Sequence, residues 1–444
     1  METTRILSEY VLRTVITDLP DQVVEMSKKA LLDWIGCCLG AFKEPIAGSV
    51  LAFLLDLGGN PQASVLGFGQ KTNILQAAFL NGWMSHVLDY DDANSLVRTH
   101  PSAAVVPALL ALAERDHRHG VDLIVSLVVG HEVTLRLGAA LGRKYYDAGW
   151  HATPILGRFG GASAAGRLLG LETDQLCQAF GLCATQAAGL RATFGTMAKP
   201  FHAGKAAMDG LLAAMLAQRG MNAPKEILSD PSSFGSLFST EYDPEKMTEG
   251  LGEHFLILSN SFKPYAACLL AHPAIDALIA LKQEHSIDPE RVEEIHVRMA
   301  SLNLSVAANP NPQNSTEAKF SIPFGAALAL IRGSAVESDF REEVLEEPLV
   351  KEVMRRVCLS ASDALAEGEA QVKVILQDGR AFDKSLQAPR GSPTHPLSFG
   401  ELEEKFRDLA IPVIGRPKAR GVIEIVRGLE DLDDAARLVN LCCL

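Results

Sequence analysis

The stretch from His86 to Pro101 gathers His86, Asp89, Asp91, Asp92, Arg98 and His100 between two apolar segments. Imidazoles and carboxylates at such spacing can act as general acids and bases, fix one another's tautomers, or ligate a metal. Asp91 and Asp92 can equally cap a helix or close a turn, and their spacing admits both readings. No repeated ligand spacing supports a metal centre, so none is expected. Three more stretches carry ionisable groups. Lys144 to His151 places Tyr145, Tyr146 and His151 just before Pro154, at a helix start whose backbone donors face the same space. Ala198 to Lys205 sets Lys199 and His202 ahead of an Ala-rich helix, with Lys199 outside it because Pro200 follows. Lys263 repeats the Lys-Pro pairing, and His272 comes shortly after. His131, on an apolar helix, reads as a satisfied core histidine. The glycines between Gly157 and Gly166 read as close helix packing, since no strand precedes them as a dinucleotide loop requires.

These side chains need a scaffold, and the periodicities supply one. Leu75, Phe79, Trp83 and Val87 recur at helical intervals before the cluster, and Pro101 opens a second apolar helix over 103–113 after it. From Pro20 onward, Val23, Val24, Met26, Ala30, Leu31, Trp34 and Ile35 form a broad apolar stripe, and similar helices follow for about two hundred residues. Past Phe262 the period changes to two. Residues 292–299 and 370–376 alternate as strands, and Asp378-Gly379 turns the second into a hairpin with 380–386. Helices are expected over 320–331 and 342–357, a linker over 389–396, and terminal helices over 399–409 and 427–441. The expected fold is mainly α. The pattern divides it into a helical body over 1–261, a smaller α+β domain with an antiparallel sheet over 262–392, and terminal helices over 393–444 that could rejoin the first body and make the small domain an insertion.

Overall charge bounds the partners. A formal net charge of -13 argues against nucleic acid and against an anionic membrane. An anionic substrate would then have to be held by local Lys, Arg and His. The eight cysteines show no C-x-x-C spacing and no secreted framework, so they are read as reduced core residues. The most apolar window, 123–141, is interrupted by His131, Glu132 and Arg136, which would be costly in lipid. With no apolar leader at the N-terminus, a soluble cytoplasmic protein is expected.

Taken in order, His86-Val-Leu-Asp-Tyr-Asp-Asp92, Thr99-His-Pro-Ser102, Gly149-Trp-His151, Lys199-Pro-Phe-His202, Phe262-Lys263 and Pro396-Leu-Ser398 resemble the MmgE/PrpD family over nearly the whole chain. The resemblance implies one large helical domain formed by both chain ends (1–261 and 393–444) with the α+β part inserted as a lid, a homodimer, and enzymes that act on small polycarboxylates without metal or organic cofactor: 2-methylcitrate dehydratase, cis-aconitate decarboxylase and iminodisuccinate epimerase. It implies a site of Asp89, His100, His151, Lys199 and Lys263. Where decarboxylase-like members place a threonine and a lid tyrosine, this chain has Ala93 and Phe324, and its 89–100 loop is one residue longer. Among the members, the expectation is an epimerase of iminodisuccinate. Such an enzyme removes a proton beside a carboxylate, stabilises the resulting dianion with cations, and reprotonates the opposite face. Lys199 and Tyr145 are expected across that carbon, with His151 and His100 on carboxylates and Asp89 orienting a histidine. Arg98, His202, Tyr146, Lys263 and His272 would bind substrate. Dehydration with His151 or His100 as the acid is the alternative, followed by decarboxylation or a non-catalytic binding protein.

Overall fold

The computed structural model describes residues 2–229, 232 and 234–444. They divide into two compact units. The first comprises the chain up to Val87, Asp91–Asn260 and Ser398–Leu444, and the second comprises Leu88–Tyr90 and Ser261–Leu397.

The first unit is helical. Its main helices are α1 (Asp21–Gly40), α2 (Ile74–Val87), α3 (Pro101–Arg115), α4 (Gly120–Leu141), α5 (Ala152–Leu168) and α6 (Ala198–Gln218). Small residues let them approach closely. A Cβ on Gly157 of α5 would stand 2.5 Å from the Ala104 methyl of α3, and one on Gly204 of α6 would stand 2.9 Å from the Trp83 nitrogen of α2. Packing of this kind explains why so few aromatic side chains suffice to fill the core. α4 is long and apolar enough to cross a membrane, but 94% of its apolar window is buried against the protein.

The C-terminal return runs from Phe399 to Arg427 as two helices joined across a kink at Gly415, rather than ending near Leu409. Pro412 and Pro417 lie within it, and Gly415 at φ 76° supplies the bend that accommodates them. It packs on α1 through Phe406 against Gly36 and through a buried ion pair, Lys405 Nζ to Asp33 Oδ1 at 2.6 Å. A short helix, Ala435–Leu441, follows.

The second unit carries a four-stranded sheet of β1 (Val292–Met299), β2 (Val357–Ala361), β3 (Ala370–Leu376) and β4 (Ala381–Leu386), in the order β2-β1-β3-β4. β1, β3 and β4 are antiparallel, as the alternation predicts, with Gly379 at φ 83° in the hairpin turn. The edge strand β2 pairs with β1 in parallel, which makes the sheet mixed. Its residues fall within the expected helix 342–357 and just beyond it. That helix is broken into Glu342–Leu345 and Pro348–Arg355, because Pro348 can start a helix but not continue one. Helices α7 (His272–His285) and α8 (Ile322–Arg332) pack together, and α7 also lies against β3 and β4.

The segment Leu88–Tyr90 is held within this unit by four hydrogen bonds. Lys263 Nζ donates to the Asp89 carbonyl at 2.7 Å and to its carboxylate at 3.1 Å. Lys319 Nζ donates to the Leu88 carbonyl, and the Tyr90 hydroxyl to the Pro264 carbonyl.

Candidate active site

Four chain segments of the first unit deliver ionisable side chains to one buried place. His86 is in the last turn of α2, His100 caps α3, His151 caps α5, and Lys199 and His202 lie in the first turn of α6. Pro101 opens α3 and Pro200 falls in the first turn of α6. Neither costs a helical hydrogen bond there, because the amides of a first turn have no intrahelical acceptor. That corrects the expectation for Lys199, which is helical. The three helix N-termini turn the positive ends of their dipoles toward the cluster, an arrangement suited to anionic ligands, while first-turn amides of α3 and α6 are already bonded, Ser102 to Asp92 and Ala198 and Lys199 to Thr196.

The imidazoles touch one another. The His86 and His100 ring centres are 4.6 Å apart, His86 and His151 stack at 6.2 Å, and the Nδ1 atoms of His151 and His202 lie 3.0 Å apart. His86 Nδ1 is 2.8 Å from Asp91 Oδ2, and His100 Nδ1 is 3.4 Å from the same oxygen and 2.8 Å from the Asp92 carbonyl. With its Nδ1–H donated to Asp91, His86 keeps its lone pair on Nε2. Phe194 closes one side, with its ring 4.9 Å from His151 and 5.7 Å from Lys199 Nζ.

Burial sets the charge states. It pushes His86 down to about 4, with the Lys199 and His100 charges adding to the fall and Asp91 opposing it. His151 is pushed well below the ordinary imidazole value by burial and by the charges of His86 and Lys199. Burial alone would raise the Asp91 carboxyl, but the two imidazoles beside it hold it well below the usual range. Near neutral pH this gives neutral His86 and His151 around a carboxylate that fixes their neighbours.

Asp92 points the other way. Its buried carboxyl accepts from Ser102 Oγ at 2.8 Å and from Asn260 Nδ2 at 3.2 Å, and burial with the Asp33 and Asp91 charges raises its pKa well above the carboxylate range. His131 completes this layer through Ser102 and Asn260 at 3.2 Å each, a satisfied core histidine as its setting predicts.

The expected site residues thus separate. His100, His151, Lys199 and His202 come together. The Asp89 carboxylate pairs with Lys263 within the second unit, and Asp91 is the carboxylate that stands beside His86 and His100. The cause is local, because Asp89 adopts φ 50° and turns the chain at the end of α2. Tyr145 is buried, its hydroxyl donates to the Val97 carbonyl, and burial raises its pKa further. Tyr146 lies under two guanidinium groups, Arg98 at 4.8 Å and Arg191 at 4.1 Å. His272 belongs to the second unit, where Nε2 bonds the Ala267 carbonyl and the ring meets Tyr265. Sequence reasoning left His86, Asp91 and Phe194 out of the site. For the first two a signal existed, since a residue five beyond a helix-end histidine can fold back onto it; Phe194 had none.

Comparison with known proteins places this geometry among relatives. The MmgE/PrpD N-terminal domain model matches residues 5–247, and the C-terminal domain model matches residues 265–431. A cis-aconitate decarboxylase of Aspergillus terreus is 29% identical, covering 96% of this chain and 92% of its own. The mouse cis-aconitate decarboxylase is 29% identical over 96% of this chain and 90% of its own, and the human one 30% over 95% and 91%. These relatives carry the name of a decarboxylase rather than of an epimerase.

Proposed function

The chain belongs to the MmgE/PrpD family, and from that premise we propose that it is an enzyme which moves a proton at a carbon next to a carboxylate in a small polycarboxylic acid. The observation that carries this reading is the set of buried His86, Asp91, His151 and Lys199 with half-buried His100, gathered where the end of α2 meets three helix N-termini. Such a site supplies positive charge for carboxylates and neutral imidazole for proton transfer, in surroundings that exclude water.

The names of the relatives support decarboxylation of an unsaturated tricarboxylate such as cis-aconitate as the reaction. In that step the bond to one carboxylate breaks and CO2 leaves. Its electron pair forms a new C=C, while the far carbon of the old double bond takes up a proton. Lys199 and His100 are the groups proposed to hold the remaining carboxylates and to deliver that proton. His151, kept neutral by burial, accepts or donates hydrogen bonds at the reacting end, and Asp91 orients His86 and His100. Lys263, paired with Asp89, and Arg98 are proposed as substrate-binding cations. Tyr145 is set aside from the proton transfer because its hydroxyl is already donated to a backbone carbonyl.

Epimerisation of iminodisuccinate is the second reading, and two positions favour it. Ala93 and Phe324 are both buried, with Phe324 packed edge-on to Phe340 at 5.5 Å, so neither offers the hydroxyl that decarboxylase-like members place there. We propose further that the enzyme is a cytoplasmic homodimer, the compartment supported by eight cysteines without C-x-x-C or secreted spacing and the dimer by the family resemblance alone. Light scattering tests the dimer.

Proton NMR in deuterium oxide tests the reaction, with cis-aconitate, iminodisuccinate stereoisomers and 2-methylcitrate offered separately. Loss of CO2 from cis-aconitate, with deuterium entering the unsaturated diacid, is the expected result. Stereoisomers that interconvert with deuterium uptake would establish the epimerase, and an olefin formed from 2-methylcitrate would establish a dehydratase. Absence of turnover and of exchange with all three would overturn the reading.

A further inference from the structure

Three donor side chains at the junction of α2 and α3 converge more tightly than acid–base chemistry requires. His86, Asp91 and His100 each offer one ligand atom, and those atoms all lie within 4.8 Å of one another. Asp91 Oδ2 is 2.8 Å from His86 Nδ1 and 3.4 Å from His100 Nδ1. A tetrahedral zinc ion with ligands at about 2.0–2.1 Å sets neighbouring donors roughly 3.3 Å apart. The Asp91–His100 edge therefore already fits, the His86–Asp91 edge needs about half an ångström of opening, and the third edge, between the two imidazoles, lies within 4.8 Å and has to close toward that spacing.

A second observation points to a ligand. His86 Nε2 and Asp91 Oδ1 are buried and have no hydrogen-bond partner, although His86 is 1% exposed and Asp91 is fully buried. Buried polar atoms are normally paired, and these orphans are the far atoms of the same two groups, not the Nδ1 and Oδ2 measured above, so they show unsatisfied polarity in the cluster rather than the position of an ion.

We propose that His86, Asp91 and His100 form a binding site for a divalent transition-metal ion of the zinc class, and that the occupied site is catalytically silent. Two imidazoles and one carboxylate suit zinc, cobalt or nickel, whereas magnesium and calcium require a shell of oxygens. The ion replaces the proton that His86 shares with Asp91, so its uptake releases protons and falls at low pH. Two features work against the ion: the Lys199 charge beside His86, and the Asp92 carbonyl that already holds His100 Nδ1 at 2.8 Å. The site is therefore a reversible one, unlike a closed structural zinc centre. Because the ion takes His100, it removes a group assigned above to substrate, and zinc should inhibit. The binding itself does not depend on which reaction the enzyme performs.

The test uses the full-length wild-type protein, first stripped with a chelator and then titrated with Co2+ under a visible spectrometer. Saturable d–d absorption at one equivalent per chain, reversed by Zn2+ and untouched by Mg2+, is the expected result. Asp91→Asn and His86→Gln should each weaken Co2+ binding at least about ten-fold. An anomalous difference map from wild-type crystals soaked in Zn2+ should show a peak among the three side chains, which keeps the test independent of how the variants fold. No saturable spectrum, a spectrum undiminished in both folded variants, or a zinc peak elsewhere would overturn the proposal. These readouts do not use turnover, so their failure is distinct from failure of the proposed reaction.

Discussion

Asp91 sits two residues beyond the aspartate that pairs with Lys263, yet its task is different: it accepts from His86 at 2.8 Å and lies 3.4 Å from His100. A carboxylate in that position selects the imidazole tautomer and steadies any imidazolium that forms. Asp91→Asn preserves shape and removes the charge. We expect kcat to fall by about 10²–10⁴ with an altered pH–rate profile and an unchanged far-ultraviolet spectrum; wild-type kinetics in the variant would show that the pair is structural only. His131 allows a cleaner statement about protons. Burial alone pushes it from 6.5 down to about 3. Below pH 6.5 the unfolded chain therefore binds a proton that the folded chain refuses, and stability is lost as pH falls from there toward 3. The slope from this residue is about 1.4 kcal/mol per pH unit. The gap in unfolding free energy between wild type and His131→Asn should accordingly narrow on acidification by that amount, measured by urea denaturation at pH 7, 6 and 5. A gap that stays constant with pH would mean His131 titrates normally.

At the level of elements, the site depends on how closely helices meet. Gly204 of α6 lies one turn beyond Lys199 and His202 and packs on the backbone of α2, the helix that ends in His86. A methyl there would run into the Phe79 carbonyl and stand 2.9 Å from the Trp83 nitrogen, and backbone of that kind cannot swing aside. Alanine favours a helix over glycine by about 1 kcal/mol, but the clash should win. Gly204→Ala is expected to lose roughly 1–3 kcal/mol of stability and to lower kcat as well, by parting Lys199 from His86. Unfolding by denaturant together with assay of the folded fraction checks both. Elements of this kind were legible wherever burial imposes one clear period, as for α2, α3, β1 and β3, whose ends fall within a few residues of the pattern. Edge strand β2 was not, because neither of its faces is fully buried and its residues show no strict alternation. The long C-terminal helix was not, since Pro412 and Pro417 read as stops until Gly415 is seen to bend between them. In the site, the types and neighbourhood of the residues were legible, but the exchange of Asp89 for Asp91 was not. It follows from one positive φ at Asp89 and from a lysine far along the chain.

For the whole molecule, the two ends of the chain are not appendages to the proposed catalytic cluster but part of its foundation. Lys405, on the last long helix, donates to Asp33 on α1 at 2.6 Å, and both are buried. The Asp33 charge in turn helps to keep the buried Asp92 carboxyl high in pKa, and the Asp92 carbonyl holds His100 at 2.8 Å. A contact spanning most of the sequence thus bears on the ring of a proposed catalytic histidine. Lys405→Met removes the cation and leaves Asp33 buried without it. Breaking a buried pair on one side costs about 3–5 kcal/mol, whereas replacing both partners by matched neutral groups is often nearly neutral. The single variant should therefore be strongly destabilised, and Lys405→Met with Asp33→Asn should recover most of the loss, as read from denaturant midpoints at equal slope. Because the double variant also removes a charge that acts on Asp92, its kcat should change even where its stability is restored. Recovery of stability with wild-type kcat would confine the C-terminal helix to a structural part, while recovery of neither would mean that the packing around Phe406, rather than the ion pair, joins the two ends.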